Sequence, residues 1–326
     1  MASLIAGTGA FVPRKAVSNH DLAKQIDTSD AWIVQRTGIR TRHLLEPEEL
    51  PSEMAIEAAR SALDEANLAP ADVGLLLVAT NFPDMICPGT APFVAEGLDM
   101  ETTPFFDITA GCTGFVYGLA IADGLLRVGA FPSALVIGME ALSRVADWKD
   151  RRTCVLFGDG AGAAVLLPTP GERGILGAAL MGDAAGKSLL LHMPGGGARE
   201  PASAETVAAR EHFLKMQGSG VFRHAVPMMA QATYAALKQA DLSLADVDWV
   251  IPHQANSRIV DALVKRLGVS PERVIVNLDR VANTSTASIP IAFDEARRDG
   301  RIQEGDIIAM TAFGAGVTYG AVVLRA

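Results

Sequence analysis

The chain has little that would tie it to a membrane, a nucleic acid or an oxidising compartment. No apolar run approaches the roughly 20 residues that span a bilayer, because Gly, Pro or a charge interrupts each one. Against 37 Asp and Glu there are only 28 Lys and Arg, a net charge of −9. That excludes general attraction to polyanions and leaves any anionic partner to dock on a local basic patch. Cysteines are few, Cys87, Cys112 and Cys154, without a framework spacing, and "MASLIAGTGAFVPR" lacks a basic region followed by an apolar signal core. The expectation is a reduced, cytoplasmic protein that binds neither membrane nor nucleic acid. No metal-ligand spacing of His and Cys is present either. What the chain does have is apolar residues, 49% of 326, beyond the size at which one core usually stops growing. Two domains or two fused halves are expected.

A duplication supports the second option. "ALDEANLAPADV" (Ala62 to Val73) and "ALKQADLSLADV" (Ala236 to Val247) agree at seven of twelve positions, each closing an amphipathic helix before an apolar strand. The strands "LLLVA" and "WVIP" that follow are short apolar runs of the kind buried on both faces of a sheet, so helices must cover both sides. Downstream, strand "PFFDI", a helix from Cys112 to Val128, strand "ALVIG" and strand "AGAAVLL" are answered in order. Their counterparts are "RVIVN", a helix from about Thr284 to Arg298, "DIIAM" and "VTYGAVVL". Alternating strands and helices predict an α/β fold of two fused halves. Residues 1–171 carry Cys112, and residues 172–326 carry His253 and Asn283. The clearest loop is "MPGGGAREPASAE", rich in Gly and Pro, near the start of the second half.

Cys112 lies in "DITAGCTGFVYGL", where a buried strand gives way to a helix. A thiol at a helix N-terminus meets unsatisfied N–H groups and the positive end of the macrodipole, which favour the thiolate. Gly111 and Gly114 allow backbone and substrate to approach closely at the carboxyl edge of the sheet, where α/β proteins bind ligands. Cys154, inside "TCVLF", reads as an inert core cysteine. "IPHQAN" sets His253 at the carboxyl edge of a second-half strand, and "VANTSTASIP" sets Asn283 ahead of a helix. By the repeat, these loops share a rim with Cys112. Separately the His reads as structural and the Asn as an N-cap. Together they offer an acyl acceptor and two donors for a developing enolate oxygen. "IAGTGAFVP" fails as a dinucleotide fingerprint, since Val12 replaces the third Gly and Pro13 intrudes. "GDGAG" at Gly158 to Gly162 runs into a strand and reads as a tight turn.

The motifs "DITAGCTGFVYGL", "LFGDGAGAAVL", "PHQAN", "NTSTASIP" and "AFGAGVTYG", in this order across nearly the whole chain, closely resemble the β-ketoacyl-acyl carrier protein synthase III family of the thiolase-like superfamily. The resemblance implies two pseudo-repeat βαβαβαββ halves layered α/β/α/β/α, and a catalytic triad of Cys112, His253 and Asn283. It implies that an acyl-coenzyme A primer acylates Cys112, after which malonyl-acyl carrier protein loses CO2 and its carbanion attacks the acyl group. The oxyanion would be held by backbone N–H groups of Cys112 and Ala315. Coenzyme A enters as substrate, and no cofactor or metal is implied. The family's coenzyme A contacts fall on Trp32, Arg36, Thr37, Arg151, Phe157, Asn256 and Phe313, with Trp32 and Arg151 sandwiching the adenine. Arg223, Arg258, Lys265 and Arg266 are the implied docking patch for the acidic acyl carrier protein, and a homodimer is implied. Taken alone, "WIVQRTGIRTR" reads as a helix end and a solvated basic turn, and each docking charge as a solvated one.

Four positions depart from the family pattern: Ala282 for Gly before the Asn, Arg152 for Gly, Ala315 within a Gly run, and Cys87 where an aromatic often closes the acyl pocket. The last leaves room for several methylenes and favours primers longer than acetyl. Competing readings are a Cys-His-Asn condensing enzyme of secondary metabolism (polyketide, quinolone or ketone synthase) and a non-catalytic thiolase-like subunit that binds acyl chains.

Overall fold

A computed structural model describes residues 2–326. Its first sheet comprises β1 (Ala2–Phe11), β2 (Leu76–Ala79), β3 (Phe105–Ile108), β4 (Ala134–Ala141) and β5 (Asp159–Thr169), in the spatial order β1-β5-β4-β2-β3. The second comprises β6 (Gly174–Gly182), β7 (Trp249–Pro252), β8 (Ile307–Gly314) and β9 (Thr318–Arg325), in the order β6-β9-β8-β7. The four strands of the second sheet match β1, β5, β4 and β2 of the first in order, and β3 has no counterpart. In each sheet the outer two ladders shared by β1, β5 and β4, or by β6, β9 and β8, are antiparallel. The inner pairs β4–β2 and β8–β7 are parallel.

Six helices cover or separate the sheets: α2 (Pro51–Ala66), α3 (Ala91–Gly97), α4 (Gly114–Arg127), α5 (Gly218–Gln239), α6 (Ser257–Leu267) and α7 (Ser288–Arg298), with α1 (Asp30–Thr37) outside them. Helices α2 and α3 pack on the outer face of the first sheet and α5 on that of the second, with α6 against α5. Helices α4 and α7 touch strands of both sheets, so the layering is α/β/α/β/α. Phe115 and Leu119 of α4 and Phe293 of α7 are buried in a core that includes Leu77 and Val136 of one sheet and Ile308 and Val322 of the other. At about 2 to 3 kcal/mol per buried large apolar side chain, this shared layer joins the halves. No described helix is long and apolar enough to cross a membrane.

Three local expectations differ from the structure. Segment "RVIVN" forms no full strand, making one bridge from Val274 to Val250 and one bond from the Ile275 N–H to the Val250 carbonyl at 3.0 Å. The 3-10 turn Pro271–Arg273 and the short helix Leu278–Val281 leave it no length to pair further. Helix α4 starts at Gly114 because Gly111 has a φ of 60° and holds the preceding backbone out of helical geometry. Ser285 has a φ of 50°, so a 3-10 turn, Ser285–Ala287, precedes α7.

Candidate active site

The β3–α4 loop, the end of β7 and the approach to α7 open on one rim, around a cavity of about 210 Å³ lined by Cys112, His253 and Asn283. Its remaining wall is mainly apolar, including Leu142, Leu214, Met229 and Phe313. Two glycines fix the floor. A Cβ on Gly111 would lie 2.4 Å from the Ala315 nitrogen, and one on Gly314 would lie 2.4 Å from the Cys112 nitrogen. Only residues without side chains let these loops pass backbone to backbone. Cys112 and Ala315 therefore line the same cavity on loops in backbone contact.

His253 follows β7 and extends its pairing, its N–H donating to the Thr311 carbonyl at 2.7 Å. The ring is buried, and its Nδ1 hydrogen-bonds Ser288 Oγ at 2.7 Å, leaving Nε2 as the ring's other polar atom. Burial drives its pKa down to about 4, so the imidazole is neutral at pH 7. Asn283 is held by its backbone, donating to Leu156 and accepting from Gly158. Its Oδ1 accepts the Ser285 N–H at 2.8 Å, which commits the oxygen and leaves the Nδ2 donors for the cavity. Ala282 just before it has φ 61° and ψ −164°, a conformation that favours glycine and strains any other residue. That explains why a departure from Gly matters here.

The expected thiolate-favouring environment of Cys112 is opposed by burial. Cys112 lies one residue before the α4 cap, and loss of solvent pushes its thiol up to about 12, the Ser285 hydrogen bond acting against this and Glu140 adding to it. Desolvation outweighs the helix terminus in this cavity. Four residues at the site, Ser285, Ser288, Glu140 and Asn81, escaped the sequence reading. Ser285 Oγ lies 3.3 Å from Cys112 Sγ and 3.3 Å from Glu140 Oε1. Its carbonyl accepts from Ser288 Oγ at 2.9 Å, so one residue links the surroundings of sulfur and imidazole. Glu140 is the penultimate residue of the wholly buried β4 and accepts from Asn81. A carboxylate closing the apolar run "ALVIGME" was the available signal.

A second cavity, of about 500 Å³, lies outward and shares Met216 with the first. It is lined by Trp32, Arg36, Thr37 and Asn256 from the coenzyme A set, and by Arg152 and Arg258. Thr37 turns its hydroxyl inward to the Ile33 carbonyl at 2.7 Å, and Asn256 caps α6 through the Ile259 N–H at 3.1 Å. Phe157 and Phe313 line the inner cavity instead. Arg36 and Arg151 stand 4.4 and 5.3 Å from the Trp32 ring centroid, and Arg151 is tied to Asp27. A base needs about 3.5 Å of contact distance on each face, so the Trp32–Arg151 sandwich is closed in this state. Arg223, Arg258, Lys265 and Arg266 are all exposed, and Arg258 lies 5.9 Å from the Phe222 ring on the outer rim. Cys87 is exposed and does not line its own chain's inner cavity. Among the described residues no group of three His, Cys, Asp or Glu could hold a metal ion.

Residues 106–190 match the family 3-oxoacyl-[acyl-carrier-protein (ACP)] synthase III, and residues 237–326 match its C-terminal part. The chain is 53% identical over 321 residues to a beta-ketoacyl-[acyl-carrier-protein] synthase III of Desulfitobacterium hafniense, covering 98% of this chain and 97% of the relative. It superimposes with a TM-score of 0.91 on a 3-oxoacyl-[acyl-carrier-protein] synthase III from Aquifex aeolicus, at 42% identity over 99% of this chain and 100% of that one. The priming beta-ketosynthase of the R1128 polyketide pathway gives 0.92 at 36% identity, over 99% and 96% of the two chains. With that layering and this rim of cysteine, histidine and asparagine, the chain belongs to the 3-oxoacyl-[acyl-carrier-protein] synthase III family.

Proposed function

We propose that this chain performs the initiating condensation of fatty acid synthesis, joining an acyl primer from coenzyme A to the two carbons left when malonyl-acyl carrier protein loses CO2. The observation that carries this is the convergence of Cys112, His253 and Asn283 on one apolar cavity. The Asn283 Oδ1 and His253 Nδ1 are committed elsewhere, so Nδ2 and Nε2 face the reacting groups.

In the first stage the Cys112 sulfur attacks the primer's thioester carbonyl. The negative oxygen is held by the Cys112 and Ala315 N–H groups, and coenzyme A leaves as the thiol with the proton Cys112 gave up. In the second stage the C–C bond to the malonyl carboxylate breaks, and the electron pair passes toward the thioester oxygen. Asn283 Nδ2 and His253 Nε2 donate to that oxygen, which requires His253 to be neutral and Ser288 to turn its one proton from the Ser285 carbonyl to Nδ1. The carbanion then attacks the acyl-Cys112 carbonyl and the sulfur departs with its electron pair. Side chains and backbone donors carry every step, with no metal or organic cofactor and the coenzyme A thioester as substrate.

The arginine-lined outer cavity suits the phosphates of coenzyme A, and Arg223, Arg258, Lys265 and Arg266 the acidic carrier protein. Strand β3 is a sheet edge whose Phe105 and Phe106 are exposed, beside an Ile86 that is 85% exposed. An uncovered apolar edge of this kind favours pairing with a second copy, so the working form is a homodimer. Cys87 then sits at the interface, and its small side chain leaves room for primers longer than acetyl. Three unpaired cysteines fit a cytoplasmic setting.

The test is to offer acyl-coenzyme A primers of two to twelve carbons, quench, and map the acyl group by mass spectrometry. Acylation confined to Cys112 is expected. Acyl transfer to Cys87 or Cys154, or none with any primer, overturns the reading.

A further inference from the structure

Glu140 is a carboxyl that the condensation does not use, fully buried beside the nucleophile. Its Oε1 accepts from the Asn81 main-chain N–H at 3.0 Å and from the Asn81 side-chain amide, whereas its Oε2 has no hydrogen-bond partner. A buried carboxylate with one unpartnered oxygen is costly, so the site selects the neutral acid with its proton on Oε2. The next group along is Ser285, whose Oγ accepts from Asn81 Nδ2 at 3.5 Å and stands 3.3 Å from both Cys112 Sγ and Glu140 Oε1. A hydroxyl has one proton to donate. It can serve the sulfur or the carboxyl, and not both at once.

We propose that Glu140 is a positioning residue for the nucleophile: as a neutral acid pinned by Asn81, it leaves the Ser285 proton to Cys112 Sγ, where that proton stabilises the attacking thiolate. Ionised, it would draw the Ser285 proton to itself through a charge-assisted hydrogen bond and set a negative charge beside the sulfur. Burial pushes the Glu140 carboxyl up to about 8 against its hydrogen bonds, so the neutral form prevails at pH 7. The titratable group facing it is Cys112. From β5 it meets Gly160, and the neighbouring Asp159 turns its carboxylate to Ser143 and the Leu45 N–H. Thr80 and Asn81 after β2 and Ser285 before α7, whose hydrogen bonds act on the carboxyl, are uncharged. The arrangement also explains why a thiol raised by burial still serves: its one hydroxyl partner is held available.

This rests on Cys112 as the nucleophile of the proposed reaction, but the test reads the sulfur directly. The alkylation rate of the Cys112 peptide by iodoacetamide, followed by mass spectrometry from pH 6 to 10, is compared in wild type, Glu140→Gln, Ser285→Ala and Ser285→Gly. Glycine accepts the φ of 50° at position 285, so it keeps the test alive if alanine misfolds. Glu140→Gln, which stays neutral, should match wild type below about pH 7 and react about tenfold faster above pH 8. Both Ser285 variants should react about tenfold more slowly at every pH and remove most of the glutamine gain in a double variant. A Glu140→Gln enzyme no faster than wild type above pH 8, or Ser285 variants at the wild-type rate, overturns the proposal. A failure of wild type to accept any acyl-coenzyme A would instead overturn the condensation reading and leave these rates meaningful.

Discussion

The inner and outer cavities touch at Met216 yet are built on opposite plans. No arginine, lysine or aspartate lines the inner one; its polar groups are a thiol, imidazoles, amides and a hydroxyl. The outer one carries Arg36, Arg152 and Arg258 with no carboxylate on its wall. The difference separates two tasks. On the function proposed above, fixed charge at the outer cavity attracts and orients an anionic carrier in a protein that is otherwise acidic. On the same reading, neutral donors inside act on charge only while it exists in the transition state, in a low-dielectric space where such donors are worth most.

Five measurements break or sharpen that division. The largest effect is expected inside: His253→Ala and Asn283→Ala should each lower malonyl decarboxylation by about 100- to 1000-fold, while Cys112 still accepts an acyl group. Lost acylation with retained decarboxylation would reverse the roles of the two stages.

The next effect is on stability and separates the two buried titratable groups. The folded-state pKa of Glu140 is raised from 4.5 to about 8, so its contribution is complete below pH 4.5 and is lost as pH rises through about 8. His253 runs the other way: lowered from 6.5 to about 4, it contributes fully above pH 6.5 and loses this as pH falls through about 4. Glu140→Gln should therefore gain on wild type between pH 4.5 and 8, by up to a few kcal/mol, and keep the acid-side loss. Parallel urea-melt profiles for the two proteins would show that Glu140 is ionised in the folded state.

Outside, effects should fall on KM and leave kcat alone. Trp32→Ala should raise KM for the acyl-coenzyme A primer roughly tenfold, the size of one base–aromatic stacking contact. Charge reversal at Arg223 and Arg258 should raise KM for the carrier-bound substrate and flatten its salt dependence. A fall in kcat instead would mean that the outer cavity shapes the chemistry. The smallest effect tests strain between the two regions. Ala282→Gly should stabilise by about 1 kcal/mol, the relief of a positive φ less the buried methyl lost, visible as a Tm rise of a degree or two.

Much of this was legible because periodic features repeat. The duplicated helix ends before β2 and β7 placed matching strands in matching order, and with them the rim that gathers Cys112, His253 and Asn283. Ser285 was not legible. It is a hydroxyl in a run of hydroxyls, and its partners Cys112 and Glu140 lie 173 and 145 positions away in the chain. Nor could spacing show that "RVIVN" falls short of a strand, since its neighbours, a turn opened by Pro271 and the helix Leu278–Val281, decide its length. The opposing pull of burial on the Cys112 thiol was not legible for a related reason: the helix terminus is written locally, but burial is set by the whole cavity.

The layer made by α4 and α7 also bears on how the chain is made. Until residues 288–325 leave the ribosome, Phe115 and Leu119 of α4 have no second sheet to meet, and the first 171 residues carry an uncovered apolar face. Translation therefore passes through a long stage in which the nascent chain is sticky and a natural client for a chaperone at the exit tunnel. The halves share one plan, yet α4 and α7 bury their apolar faces against both sheets, so a gene split between them would have to deliver both pieces together.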